Sequence, residues 1–144
     1  MNKRRSLFFL LSFIFIVTSC LTSCKEEGTV ISKPEEYKHV YEASEDIILR
    51  AIAQVFKDKS GSATIQHGQN KIESDSVVQD GWRTKNTAQV KKLNWKECEV
   101  TLSVITEKKT ETGWEMRSLL EKEQYDKFFD AIDLQIYKEM YKVQ

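Results

Sequence analysis

The first apolar feature of the chain is a run, not a pattern: positions 7–17 are interrupted only by Ser12. Further on the apolar positions become periodic. Ile48, Ala51, Ile52, Val55 and Phe56 recur at helical spacing, which predicts an amphipathic helix over 45–57. Ser44 suits its N-cap, Glu45 and Asp46 place carboxylates in its first turn, and Ser60-Gly61 stops it. A second stripe, Tyr125, Phe128, Phe129, Ile132, Ile136 and Met140, predicts a helix in the last segment, with Asp126, Asp130, Asp133 and Lys138 largely outside it.

Between the helices the period falls to two. Strands are expected over 38–41, 63–67 and 71–79, with Asp80-Gly81 as a hairpin turn. The clearest alternation is 95–107: Cys98, Val100, Leu102 and Val104 point one way, and Glu97, Glu99, Thr101 and Ser103 the other. Thr112-Gly113 turns the chain into 114–120, where Trp114, Met116 and Leu120 share a face. The expected fold is α+β: an antiparallel sheet of about four strands, two amphipathic helices on one face, and a helical signal peptide in front. The expected divisions are a signal segment 1–23, a lipidated cysteine with a flexible polar tether 24–36, and one domain 37–144.

The run at 7–17 follows Lys3, Arg4 and Arg5 and precedes small residues and cysteines, the order of a secretion signal. As a helix it would span about 16 Å, against roughly 30 Å of bilayer hydrocarbon, so a permanent span is disfavoured. Leu21-Thr22-Ser23-Cys24 resembles the lipobox of bacterial lipoproteins: Leu, a small residue, Gly/Ala/Ser, Cys. The resemblance implies a diacylglycerol on the Cys24 sulfur, cleavage just before it, and often an acyl chain on the new amino group. A thiol suits this attachment because its thiolate is a good nucleophile. Val17-Thr18-Ser19-Cys20 also fits, so Cys20 is the alternative; Leu21 and the polar Lys25-Glu26-Glu27 favour Cys24. Two or three acyl chains would hold the protein at a membrane without spanning it. In diderm lipoproteins an Asp after the cysteine often signals inner-membrane retention, so Lys25 points to the outer membrane.

Charge and composition narrow the partners. Without Lys3, Arg4 and Arg5, 19 of the 22 basic residues remain against 22 acidic ones, a net charge of −3. That balance gives neither a basic face for nucleic acid nor a polybasic patch for anionic lipid. Cys98 alternates with core residues and is expected to be buried and inert, not half of a Cys-His pair with His39 or His67. No metal-ligand spacing, phosphate loop or nucleophile elbow occurs, so neither catalytic residues, a metal nor a cofactor is called for. Trp82, Trp95 and Trp114, at or near strand ends, are candidate binding residues, able to stack on sugar rings or anchor a protein. The order of elements also resembles small domains of several envelope lipoproteins.

The reading that results is a non-catalytic envelope lipoprotein, lipid-anchored at the outer membrane. It presents a small domain to another envelope protein or to peptidoglycan. The alternative is a small-ligand carrier with a pocket between sheet and helices. Cys24→Ala should leave an unlipidated, uncleaved precursor in cells fed labelled fatty acid; continued labelling that is lost only in Cys20→Ala would move the site to Cys20.

Overall fold

In a computed structural model, residues 28–74 and 76–142 are described; the signal segment and both lipobox cysteines lie outside them. Eight strands form one antiparallel sheet, with two helices on one of its faces. The strands are β1 (Thr29–Val30), β2 (Glu36–Tyr41), β3 (Ala63–Gln66), β4 (Lys71–Ser74), β5 (Val77–Gln79), β6 (Trp82–Lys92), β7 (Cys98–Thr110) and β8 (Gly113–Ser118). The helices are α1 (Glu45–Ser60), between β2 and β3, and α2 (Lys122–Lys142), after β8.

The spine is the long hairpin β6–β7, paired from Trp82↔Lys108 to Lys92↔Cys98. Each of its edges carries two flanking strands in succession. Along β7, β2 pairs with 98–103 and β8 with 106–110. Along β6, β4 pairs with 87–89 and β5 with 82–84. The sheet therefore has two halves of five strands each, β2-β7-β6-β4-β3 and β1-β8-β7-β6-β5. They meet at the directly opposed pair Asn86↔Val104.

At that pair neither flank supplies a backbone partner, and side chains do so instead. The Asn86 N–H donates to Ser74 Oγ at 2.9 Å, and the Val104 N–H donates to the Tyr125 hydroxyl at 3.3 Å. Tyr125 is 1% exposed and its ring lies 4.2 Å from that of Tyr37. The Asn86 amide nitrogen also donates to Ser60 Oγ at 2.9 Å, so the last residue of α1 and the first turn of α2 are both fastened at this row.

Both helices lie over the half that carries β2, β3 and β4. Helix α1 packs on β3, β4 and β6 and α2 on β2, and neither makes a comparable contact with β1, β5 or β8. The core forms there. Ile48, Ile52 and Phe56 of α1 and Tyr125, Phe129 and Ile132 of α2 pack with Ile72, Ala88, Val90, Val100 and Leu102 of the sheet. Tyr41 donates from its buried hydroxyl to the Phe129 carbonyl at 2.8 Å, tying β2 to α2, and burial raises the pKa of that phenol far above its usual value.

The sheet has eight strands where about four were expected. The expected strand 71–79 is two, because β4 and β5 flank different halves of β6. Strand β6, which no apolar alternation announced, carries Trp82, Thr84, Asn86, Ala88 and Val90 on its helix side, so only one end of it reads as buried. Strand β1 lies within the expected tether and joins the sheet by backbone pairing with β8. Trp95 is not the start of a strand. Asn94 accepts from the Lys96 and Glu97 N–H groups and shapes a turn instead. Asp80-Gly81 makes the expected two-residue hairpin, with φ of 49° and 78° suiting a type I′ turn. Helix α1 runs three residues past its expected end, to Ser60, and is closed by Gly61, whose N–H caps the Lys57 carbonyl at 2.8 Å with φ of 84°.

An unpaired buried N–H costs about 1–3 kcal/mol. Tyr125→Phe, which keeps the ring and removes the hydroxyl, should therefore lower unfolding free energy in urea by about that amount; a change within about 0.5 kcal/mol, the scatter of a neutral surface substitution, would show that the Val104 N–H does not need this partner.

Candidate functional site

Side chains alternate faces along a strand, and directly opposed residues share one. The register therefore lays out the helix-facing side of the sheet as a grid. In the covered half the rows are apolar: Ile72–Ala88–Leu102–Tyr37, then Val90–Val100–His39. Past Asn86–Val104 the same face continues beyond the helices with two different rows. The nearer is Val77–Thr84–Thr106–Arg117–Val30, and the outer is Gln79–Trp82–Lys108–Glu115. At about 4.8 Å between strands this floor is roughly 14 Å across from β5 to β8. Thr84, Thr106, Trp82 and Lys108 are half-buried, and Val77 is 43% exposed.

The floor is polar and partly aromatic. The Lys108 ammonium lies 5.5 Å from the centre of the Trp82 ring. Arg117, with 16% of its side chain exposed, donates from Nη2 to Glu115 at 2.8 Å and from Nη1 to the Gly28 carbonyl at 3.2 Å. Its Nε is buried and has no hydrogen-bond partner among the described residues. At the inner margin Asn86 Oδ1 is in the same state, so the edge of the floor holds one unmatched donor and one unmatched acceptor.

The three candidate tryptophans do not share a surface. Trp82 stands on this floor. Trp114, opposite Lys109, is on the other face of the same half, under the Arg83 guanidinium at 4.3 Å, which also pairs with Glu107. Trp95 is at the far end of the hairpin, roughly 33 Å along the strands from Trp82, 77% exposed with the Lys96 ammonium 4.3 Å over its ring. Sequence reading missed Thr84, Asn86, Thr106, Lys108, Glu115 and Arg117, because nothing in their types marks them until the register aligns them.

Other polar groupings have structural partners. Cys98 is 1% exposed, its Sγ donating to the Ala43 carbonyl at 3.7 Å, and burial pushes its thiol up from the ordinary range. His39, exposed on β2, stacks on Phe129 with ring centres 5.3 Å apart. An open cleft of about 300 Å³ where α1, α2 and β3 meet is lined by Arg50, Ala53, Gln54, Lys57, Ala63, Ile65 and Glu139. The Lys142 ammonium, 2.7 Å from Glu139, holds that carboxyl below its usual range, helped by the Gln135 amide at 2.9 Å and by Arg50. Met140, expected in the buried stripe of α2, is 45% exposed; Gln135 and Glu139 take the buried positions instead, linked to each other. No helix among the described residues is long and apolar enough to cross a membrane.

No protein-family model matches the chain, and no curated protein matches it by sequence. Solved structures do match. Norcoclaurine synthase of Thalictrum flavum, a point mutant in complex with a transition-state analogue, superposes with a TM-score of 0.53 at 10% identity, over 78% of this chain and 98% of that one. A START-superfamily protein of Mycobacterium smegmatis matches at a TM-score of 0.37 and 10% identity, over 74% of this chain and 93% of that one. The domain thus has an α+β fold similar to that of norcoclaurine synthase, in which helices lie on one face of an antiparallel sheet.

Because the folded-state pKa of Glu139 is depressed, its contribution to stability is present above the unfolded value of about 4.3 and is lost as pH falls through the folded one. Glu139→Gln should be less stable than the native protein at pH 7, and the gap should narrow below about pH 4 in acid-titrated thermal melts. A gap constant from pH 7 to pH 3 would contradict the pairing.

Proposed function

We propose that the domain binds a small amphipathic ligand on the uncovered half of its helix-facing sheet surface, while a lipid on Cys24 anchors it in the cell envelope. The observation that carries the ligand reading is the unequal cover of one sheet face. Its inner rows are apolar and lie under both helices; its outer rows, centred on Trp82, Thr84, Thr106, Lys108 and Arg117, do not. Such a floor suits a ligand with a planar apolar part to lie on Trp82 and an acidic or carbonyl group for Lys108 and Arg117. The likeness to norcoclaurine synthase supports the same reading, since that protein holds a small molecule in its structure. The pocket of the carrier reading thereby moves from beneath the helices to beyond them. The one carboxylate of the floor, Glu115, is paired with Arg117, and the reading is of binding. The anchor, the outer-membrane location and the envelope setting rest on the sequence resemblance alone.

A protein partner is the second reading. Leu134, Tyr137, Met140 and Tyr141, each at least 45% exposed, form an apolar ridge along the outer side of α2. The rings of Tyr137 and Tyr141 meet at a tilt of 57° with centres 4.5 Å apart, and their hydroxyls are 2.9 Å apart.

Titration with aromatic carboxylates such as indole-3-acetate, followed by NMR, should shift the Trp82 indole and the β6–β8 amides first. Trp82→Ala should weaken binding about tenfold, Arg117→Lys should weaken it as well, and Trp114→Ala on the opposite face should leave it unchanged. Shifts gathered on the α1–α2 cleft, or equal effects of Trp82→Ala and Trp114→Ala, would reject this floor as the site.

A further inference from the structure

We infer that the lateral β1–β8 edge of the sheet is held at the bilayer and that the β3 edge cannot be turned toward it; this rests on the proposal that Cys24 is the lipidated residue. The expected tether, 24–36, would reach about 43 Å from the sulfur-bearing residue if it were free, enough for the domain to take any orientation. The structure shortens it. Thr29 pairs with Ser118 and Val30 with Arg117, the Ile31 N–H donates to the Met116 carbonyl at 3.0 Å, and the Gly28 carbonyl accepts from Arg117. Gly28 itself has φ of 64° and lies so close to β8 that a Cβ there would come within 2.3 Å of Leu119 Cδ2 and 2.6 Å of the Ser118 carbonyl oxygen. The chain is thus fixed to the sheet edge from Gly28 onward.

Gly28 lies four residues after Cys24, which bounds the reach between them at about 14 Å whatever the conformation. From β1 the order β1-β8-β7-β6-β4-β3 crosses five strand spacings, about 24 Å. Turning β3 to the bilayer would carry Gly28 farther from it than the leash allows. Attachment at Cys20 would permit about 29 Å and release the constraint, so the orientation is specific to Cys24. The edge also suits an interface: Val30 is 57% and Leu119 38% exposed beside it, both apolar side chains. Because the row Val77–Thr84–Thr106–Arg117 ends at Val30, the uncovered floor then opens beside the membrane surface.

The test uses the full-length lipidated protein in vesicles whose headgroups carry a nitroxide quencher. A fluorophore is placed at Ser32→Cys or at Thr64→Cys, both exposed, with Cys98 left buried in place. Quenching should be several-fold stronger at position 32 than at 64, and inserting eight Gly/Ser residues between Glu27 and Gly28 should largely erase the difference. Equal quenching at both positions in protein of confirmed acyl mass would overturn the orientation while leaving the anchor standing. So would a difference that survives the insertion. Absence of acyl mass, or lipid on Cys20, would overturn the Cys24 reading itself and the orientation with it.

Discussion

Two backbone N–H groups, one on each side of a single residue pair, organise this molecule. At Asn86↔Val104 the long hairpin changes flanking strands on both edges at once, from β4 to β5 on β6 and from β2 to β8 on β7. A change of partner strands leaves backbone donors without a ladder, and a buried donor without an acceptor is costly. Ser74 Oγ closes one gap and the Tyr125 hydroxyl the other. The residues that do so also fasten the helices. Tyr125 belongs to the first turn of α2, and Asn86 reaches Ser60 at the end of α1. The row where the sheet forks is therefore the row where the helical layer stops.

That boundary accounts for the division of chemistry on the sheet. On the helix side of it, side chains such as Val100, Leu102, Ala88 and Ile72 are fully buried and form the core with α1 and α2. Beyond it the same strands, still alternating, present threonines, Trp82, Lys108 and Arg117, where neither α1 nor α2 packs on them. One face of one sheet thus has two parts. The covered half forms the core with α1 and α2, and the other half lies beyond them. The pairing of β1 with β8 places Gly28, the first described residue, at the edge of this half.

The helices and strand β7 were legible in sequence because burial imposes the strongest period. Cys98, Val100 and Leu102 alternate with polar residues, and Ile48, Ile52, Val55 and Phe56 recur at helical spacing. The turns at Asp80-Gly81 and Gly61 were legible because positive φ selects their residues. Strand β6 was not, because half of its inward face is uncovered and gives no apolar signal. The split of 71–79 into β4 and β5 was hidden for a related reason: it depends on which half of β6 each piece flanks, a long-range fact. Strand β1 holds by backbone bonds, which any residue types could make. The tryptophans were picked out by type, yet only the register places Trp82 beside Lys108 and sets Trp114 on the opposite face. Arg117 is unremarkable in sequence and becomes informative only when its buried Nε is found without a partner among the described residues.

The central claim is that the helices cover one half of this sheet face and leave the other half open to solvent. Side-chain NMR relaxation in the presence of a soluble paramagnetic agent measures this directly. The methyls of Thr84, Thr106 and Val77 and the indole of Trp82 should relax strongly, while those of Val100, Leu102, Ala88 and Ile72 should be nearly unaffected. Equal protection of Thr84 and Leu102 would mean that the face is covered throughout, and would contradict the account.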